Sequence, residues 1–380
     1  MEVKRLRKQI PPGTARKLWV QSGGRCQYRG CNSPLWQDEL MSKDMNKAYI
    51  SHIIAASPKG PRGHEEKSIV LELAYDNLML LCDECHNRID EADQEYHTVE
   101  MLTAMKQEHE TRINIVTGIM EAERSLVVSY LARIGGFYPS LKKNVAFQTI
   151  IPGRFPYRGY FIEGGTRNSP IVDHEHIYWE TETIALERWF SNDVLPHLDG
   201  GSCNHLSVFA LAPQPLLIKL GALLSELRPV DIYQYFRSPG DSWQWQQDSS
   251  DLSIQFVSPE NLDGHPVLKI ELSAPVHDSR VTSVFDGTDL SIYTLRIAEP
   301  RRDFIKSKYH LEELKRAFRS AYDQINSNHP AEKTIHVFPV MPNAAAVEFG
   351  RVRMPKADKG LLIYDQSNKQ NSFIKTLTIS

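Results

Sequence analysis

Val208-Phe209-Ala210-Leu211-Ala212-Pro213 is the stretch on which the fold turns, because it is echoed by Val337-Phe338-Pro339-Val340-Met341-Pro342. Each copy is a short apolar run that reaches a proline at the same place and continues through a helix-like segment, to Gly221 or to Gly350. Further on, Val230-Asp231-Ile232-Tyr233-Gln234 is echoed by Leu361-Leu362-Ile363-Tyr364-Asp365-Gln366. Both copies read strand, proline turn, helix, glycine stop, strand, which is a βαβ unit of a parallel sheet. Two such units predict two Rossmann-like halves facing each other about a pseudo-two-fold axis. Ligands of parallel sheets lie beyond the carboxyl ends of the strands, beside helix N-termini that favour phosphate. Pro213 and Gln214 in one half, with Pro342 and Asn343 in the other, are therefore candidate ligand contacts; the plainer alternative is that these turns only begin helices.

Outward from this repeat the 380 residues fall into three zones, an α/β and α+β multidomain plan. Residues 152–380 have α/β character. Residues 118–151 read as a helical connector, with a helix-like stretch from Gly118 to Arg133 and a break at Gly135-Gly136 and Pro139. Residues 1–117 hold clustered cysteines and end in a helical pattern from Val99 through Met105. No apolar run approaches the roughly 20 residues that span a bilayer, and the start lacks the apolar stretch of a secretory signal. A soluble, cytoplasmic protein without membrane contact is expected. A formal net charge of −3 excludes a uniformly basic nucleic-acid binder. The charge is unevenly spread, since Lys4, Arg5, Arg7, Lys8, Arg16, Lys17, Arg25 and Arg29 stand against the lone acid Glu2. That arm suits phosphate contact, or is a solvated terminus.

In the cytosol clustered cysteines call for a use other than disulfides. Cys26 with Cys31, and Cys82 with Cys85, are pairs whose spacing lets one turn offer two thiolates to one ion. Four thiolates around Zn²⁺ make a closed structural site that staples a core-poor domain. Cys203 stands alone after Gly200-Gly201 and reads as an inert, buried thiol.

Between and after the pairs come Ser51-His52-Ile53-Ile54, Asp76-Asn77-Leu78 and Cys85-His86-Asn87, in the order His, Asn, His. Over about residues 15–112 this resembles the HNH, or ββα-metal, endonucleases. The resemblance implies that His52 is the general base and that His86 is a ligand of a catalytic Mg²⁺ or similar cation. It also implies that Asn77 orients His52 across the loop, and that double-stranded DNA is cut without strong sequence preference. Many members carry an acidic metal ligand just before the first histidine, where this chain has Ser51; Asp90 and the Asp76 region are the substitutes to consider.

From about residue 155 to 380 the chain resembles the SAVED domain, a fusion of two CARF-like halves found in bacterial CBASS antiphage systems. The stretches that carry this likeness are His205 through Leu217, Val230 through Arg237, Trp243-Gln244-Trp245, and His336-Val337-Phe338-Pro339 through Gly350-Arg351. The likeness implies activation by a cyclic di- or trinucleotide, a dinucleotide first, made by a partner nucleotidyltransferase, and a homo-oligomer that grows when liganded. Stacking a base takes flat side chains and holding phosphate takes cations. Trp243 and Trp245 alternate by two, so they are either such a platform or sheet core. Arg237, Arg301, Lys306, Lys308, Tyr309 and His310 are the charged and aromatic candidates, whereas His174 and His176 are taken as structural. Two rival functions remain: a restriction-type nuclease whose C-terminal half reads DNA sequence or modification directly, and a zinc module kept only as a DNA-binding or scaffold piece. The duplicated half offers crevices rather than a groove-reading element, and the three polar residues are all present.

Overall fold

The computed structural model describes residues 8–38, 43–120, 123–166, 171–201, 203–237, 240–367 and 372–380. Lys4, Arg5 and Arg7 of the basic arm lie outside these. The chain divides into two units, Met1–Ile119 and Met120–Ser380.

The first unit begins with α1 (Pro12–Gln21), a minimal hairpin of β1 (Gln37–Asp38) and β2 (Lys43–Asp44), and β3 (Ala48–His52). After α2 (Lys67–Val70) come β4 (Leu78–Cys82), α3 (Asp83–Asn87) and the long α4 (Val99–Thr117). β3 and β4 pair antiparallel, with Ala48 opposite Cys82 and His52 opposite Leu78. Four consecutive apolar residues, Leu78 to Leu81, are buried on both faces of β4, and Met79, Leu80 and Leu81 centre a small core with Leu35, Ile53, Ile89, Leu102 and Met105. Thr98 starts α4 by accepting a hydrogen bond from the Met101 amide, which satisfies one of the unpaired donors of a helix's first turn.

In the second unit, β5 (Arg124–Leu131), α5 (Lys143–Ile150), β6 (Phe155–Gly164), α6 (His176–Trp189) and α7 (Leu195–Asp199) lead into the first copy of the repeat: β7 (Leu206–Leu211), α8 (Gln214–Leu224) and β8 (Val230–Tyr233). The remaining elements are β9 (Ile254–Val257), β10 (His265–Glu271), α9 (Asp278–Thr282), β11 (Leu290–Ile297), α10 (Lys308–Asn328), β12 (Thr334–Val340), α11 (Asn343–Arg351), β13 (Gly360–Ser367) and β14 (Ser372–Ile379). One sheet has the order β6-β5-β7-β8, parallel throughout; the other has the order β14-β13-β12-β10-β11-β9. Within the second sheet β11-β10-β12-β13 repeats the first, all parallel, and β9 and β14 flank it antiparallel. The duplication read from two strands per half thus extends to four.

Two expectations need correction. The helical connector is not there: Arg124–Leu131 forms β5, a central strand buried at seven of its eight positions. The run Leu126-Val127-Val128-Ser129-Tyr130-Leu131 is short, β-branched and apolar, which suits a strand buried on both faces. The α/β unit accordingly starts at Met120, not at residue 152. Second, Gly221 and Gly350 do not stop their helices; both lie inside them. α8 and α11 cross there so closely that a Cβ on Gly221 would lie 1.9 Å from the Val347 carbonyl oxygen, and one on Gly350 1.9 Å from that of Ile218. The glycines are required by the backbone approach.

Candidate functional site

Cys82 ends β4 and precedes α3, whose first turn carries Cys85. Facing them, a turn with Gly30 at φ +84° brings Cys31 back towards Cys26, the Cys31 amide donating to the Tyr28 carbonyl and the Cys26 amide to that of Ser33. All four sulfurs lie within 4.8 Å of one another, and Cys31 Sγ is 3.8 Å from Cys82 Sγ. Zn–S bonds of about 2.3 Å in a tetrahedron place sulfurs ~3.8 Å apart, so the donor set and its size fit zinc. The Cys85 thiol and neighbouring amides donate to Cys26, and this draws Cys26 down to about 5. The same contact, with burial, pushes the Cys85 thiol well above its ordinary value. Cys203 is buried in the other unit, beside the carbonyls of His205 and Arg124.

His52 ends β3, Asn77 lies in the turn before β4 and His86 is on α3. His52, the last residue of β3, is 6% exposed and donates from Nε2 to the Glu72 carbonyl at 2.9 Å, leaving the lone pair on Nδ1. Asn77 closes a turn before β4 and was expected to hold the imidazole. Instead its amide brackets Ile54, accepting from that residue's N–H at 2.8 Å and donating to its carbonyl at 2.9 Å, and donates also to the Leu71 carbonyl. It pins the backbone two residues beyond His52. His86, on α3, stacks on Tyr49, with ring centroids 5.0 Å apart. The hydroxyl of Ser51 and Nδ1 of His86 are buried with no hydrogen-bond partner. Asp90, considered as a ligand, has one carboxylate oxygen on Arg62; Asp76 is exposed. Arg62 and Tyr49 escaped the sequence reading because neither belongs to a spaced motif.

The two proline turns of the second unit meet. Gln214 Oε1 accepts from the Met341 amide at 3.2 Å, Asn343 Nδ2 donates to the Ala210 carbonyl at 2.8 Å, and the Ala344 amide donates to Gln234 Oε1 at 3.1 Å. Pro213 and Pro342 are the residues immediately before α8 and α11, so both helix starts come to one seam, although their amide side chains are spent on holding it. Trp243 is 4% exposed, enclosed by Phe209 and Tyr235, and offers no face to a base. Trp245 is partly buried, with Nε1 on the Ile232 carbonyl. Arg237 lies over Phe137, and Arg133 over Tyr138. Arg133, Phe137 and Tyr138, with both rings exposed, follow the carboxyl end of β5. They were missed because that stretch was read as connector. At the carboxyl end of β11 and the start of α10, Arg301, Lys306 and His310 line a cavity of 240 Å³ with Asp248, Asp251 and Phe304. His310 is buried, donating to the Ser250 carbonyl at 2.8 Å and accepting from the Lys306 amide. Asp248 is held at about 2 by the hydroxyl and amide of Ser250. Lys308 turns away to Asp231 at 2.8 Å, and Tyr309 donates to Asp251 at 2.5 Å. His176 Nδ1 lies 3.4 Å from Glu180, one helical turn on, and the four cysteines are the sole metal-type cluster among the described residues.

Comparison with known proteins adds a family. The model of SAVED, the "SMODS-associated and fused to various effectors sensor domain", matches residues 190–379. No curated protein matches the chain. Among solved structures, the Acinetobacter baumannii Cap4 SAVED/CARF-domain containing receptor with the cyclic trinucleotide 2′3′3′-cAAA is similar at a TM-score of 0.44 and 11% identity, over 83% of this chain and 66% of the receptor. The same receptor with 3′3′3′-cAAA gives 0.44 and 11%, over 83% and 67%. The Moraxella osloensis Cap4 receptor gives 0.39 and 12%, over 84% and 71%. The chain spans just under two thirds of the length of the first of these. No described helix is long and apolar enough to cross a membrane.

Proposed function

The chain belongs to the SAVED family of sensor domains, and on that footing we propose that it is an antiphage effector whose N-terminal unit cuts double-stranded DNA when a cyclic oligonucleotide binds the C-terminal one. The observation that carries the sensor reading is the meeting of the Pro213 and Pro342 turns. Both lie at carboxyl ends of pseudo-symmetric parallel sheets, where two helix starts converge on one seam. A cyclic oligonucleotide has a matching repeat of phosphates, and oriented amides at helix starts favour phosphate. Exposed Phe137 and Tyr138, each beside an arginine, supply flat faces and charge near by in the chain. The cavity at Arg301 and Lys306 has a volume of 240 Å³, below the ~300–1,000 Å³ of whole-ligand pockets, and suits one base or phosphate.

The nuclease reading rests on His52 at the end of β3, Asn77 in the turn that leads into its partner strand β4, and His86 on α3, directly after Cys85 of the four-cysteine cluster. The Glu72 carbonyl holds the proton of His52 on Nε2, so Nδ1 is the nitrogen that takes a proton from water. Asn77 keeps the strand end rigid through Ile54. His86 Nδ1 and Ser51 Oγ are the unpaired donor atoms that a cation would engage. A divalent cation such as Mg²⁺, when bound there, supplies Lewis-acid stabilisation of the phosphorane and the leaving 3′-oxygen. Zinc at the cysteines has a structural part only.

The test is incubation of purified protein and Mg²⁺ with supercoiled plasmid, with and without a panel of cyclic di- and trinucleotides. One member of the panel should trigger cutting. With that nucleotide, H52A should keep its zinc and its ligand and cut on the order of 10²–10⁴-fold more slowly. Wild-type rates from H52A would remove His52 as the base; no cutting with any nucleotide would remove the proposal.

A further inference from the structure

His86 offers two ring nitrogens, and the structure gives them different surroundings. Nε2 lies 3.5 Å from Asp90 Oδ2, one helical turn on, while Nδ1 is buried with no hydrogen-bond partner. Asp90 is itself engaged by a second residue. Its other oxygen, Oδ1, accepts from Arg62 Nη2 at 2.5 Å, and that guanidinium has a side-chain exposure of 7%. Arg62 is itself held at both remaining positions: Nε donates to the Ile53 carbonyl at 2.7 Å and Nη1 to the Ile89 carbonyl at 2.7 Å. Its backbone sits at φ +57°, a left-handed conformation that costs a non-glycine residue energy and persists where the surroundings enforce it. Ile53 directly follows His52, and Ile89 directly precedes Asp90. One arginine therefore ties the residue after the proposed base to the carboxylate beside the second histidine.

Ser51 gives the direction. Tyr49 and Ser51 are two apart on β3 and share a face, and the Tyr49 ring stacks on His86. The Ser51 hydroxyl is thus on the His86 side of the strand, 1% exposed and without a hydrogen-bond partner.

We propose that Asp90, clamped by Arg62, is a positioning residue that keeps the proton of His86 on Nε2, so that Nδ1, together with Ser51 Oγ, is presented to the catalytic cation. This rests on the nuclease reading above and assigns Asp90 the task of orienting a ligand, not of being one. Carboxylates beside metal-binding histidines select the tautomer in this way, and their loss typically lowers metal affinity by about 10–100-fold.

Two measurements on the full-length chain test it, neither using DNA. In long-range ¹H–¹⁵N spectra of protein labelled at histidine nitrogen, with H86A assigning the signal, His86 should be the Nε2-protonated form. An Nδ1-protonated His86 in the wild-type protein overturns the proposal. In Mn²⁺ titrations followed by electron paramagnetic resonance, D90N should bind about 10–100-fold more weakly than wild type at unchanged zinc content. Equal Mn²⁺ affinity in D90N overturns the proposal while leaving the nuclease reading intact. A protein with the expected tautomer and Mn²⁺ response that cuts no plasmid with any cyclic nucleotide would instead refute the nuclease reading and leave the His86 geometry standing.

Discussion

His336, on β12, shares a hydrogen bond between Nδ1 and the Tyr364 hydroxyl at 3.0 Å and lies against Phe285. Burial, followed by the nearby charges of His265 and Lys375, pushes it down to about 4, from an ordinary value of 6.5. The unfolded chain binds a proton here below about pH 6.5 that the native protein refuses until about 4. Stability contributed by neutral His336 is therefore present above pH 6.5 and lost as pH falls through this window. H336Q keeps a group able to pair with Tyr364 but cannot titrate, so the fall in Tm from pH 7 to 4.5 should be shallower than in wild type. Parallel curves would show that His336 does not contribute to the acid sensitivity. At this scale the four cysteines were legible, because two ligands one turn apart are a local pattern. The roles of Arg62 and Asp90 were not, because their contact joins residues 28 apart in sequence through space.

Among the elements, α8 and α11 carry the clearest demand on sequence. Their crossing at Gly221 and Gly350 leaves no room for a methyl group between one backbone and the other. G221A or G350A should lower the stability of the C-terminal unit by about 1–3 kcal/mol or more, read from denaturant midpoints, although alanine is the better helix former. The double variant should depart from additivity, since both changes press on one contact. Unchanged midpoints would mean that the helices can separate without cost. The glycines were visible in the repeat, but their reading as stops was wrong, because a glycine after an amphipathic run signals either an end or a close approach. β5 was misread for a related reason: a fully buried strand lacks the alternation that separates strand from helix.

For the whole molecule, the pseudo-symmetric seam bears on regulation. A cyclic nucleotide that spans both turns and keeps one face exposed is able to contact a second sensor unit, and it favours whichever assembly binds it better. On the proposed nuclease reading, cutting both strands of a duplex is easiest when two nuclease units are brought together. The free protein should therefore be a small oligomer, a dimer, and the form bound to the activating cyclic nucleotide a larger one, as measured by light scattering after size exclusion. Activation of cutting at unchanged mass would confine the switch to rearrangement within a chain.

The sequence by itself determined what depends on spacing along the chain: the paired cysteines, the order of His52, Asn77 and His86, and the doubled strand–turn–helix–strand that announces two parallel sheets. Only the tertiary structure decided what depends on packing. It placed Trp243 in the core and committed Gln214, Asn343 and Lys308 to partners within the fold. It also turned Asn77 onto Ile54 and made β5 the strand beside β7. Spacing states which groups one turn or one strand face can offer together. Whether a given side chain meets ligand, backbone or core is set by which distant segment arrives opposite it, and this information is not local.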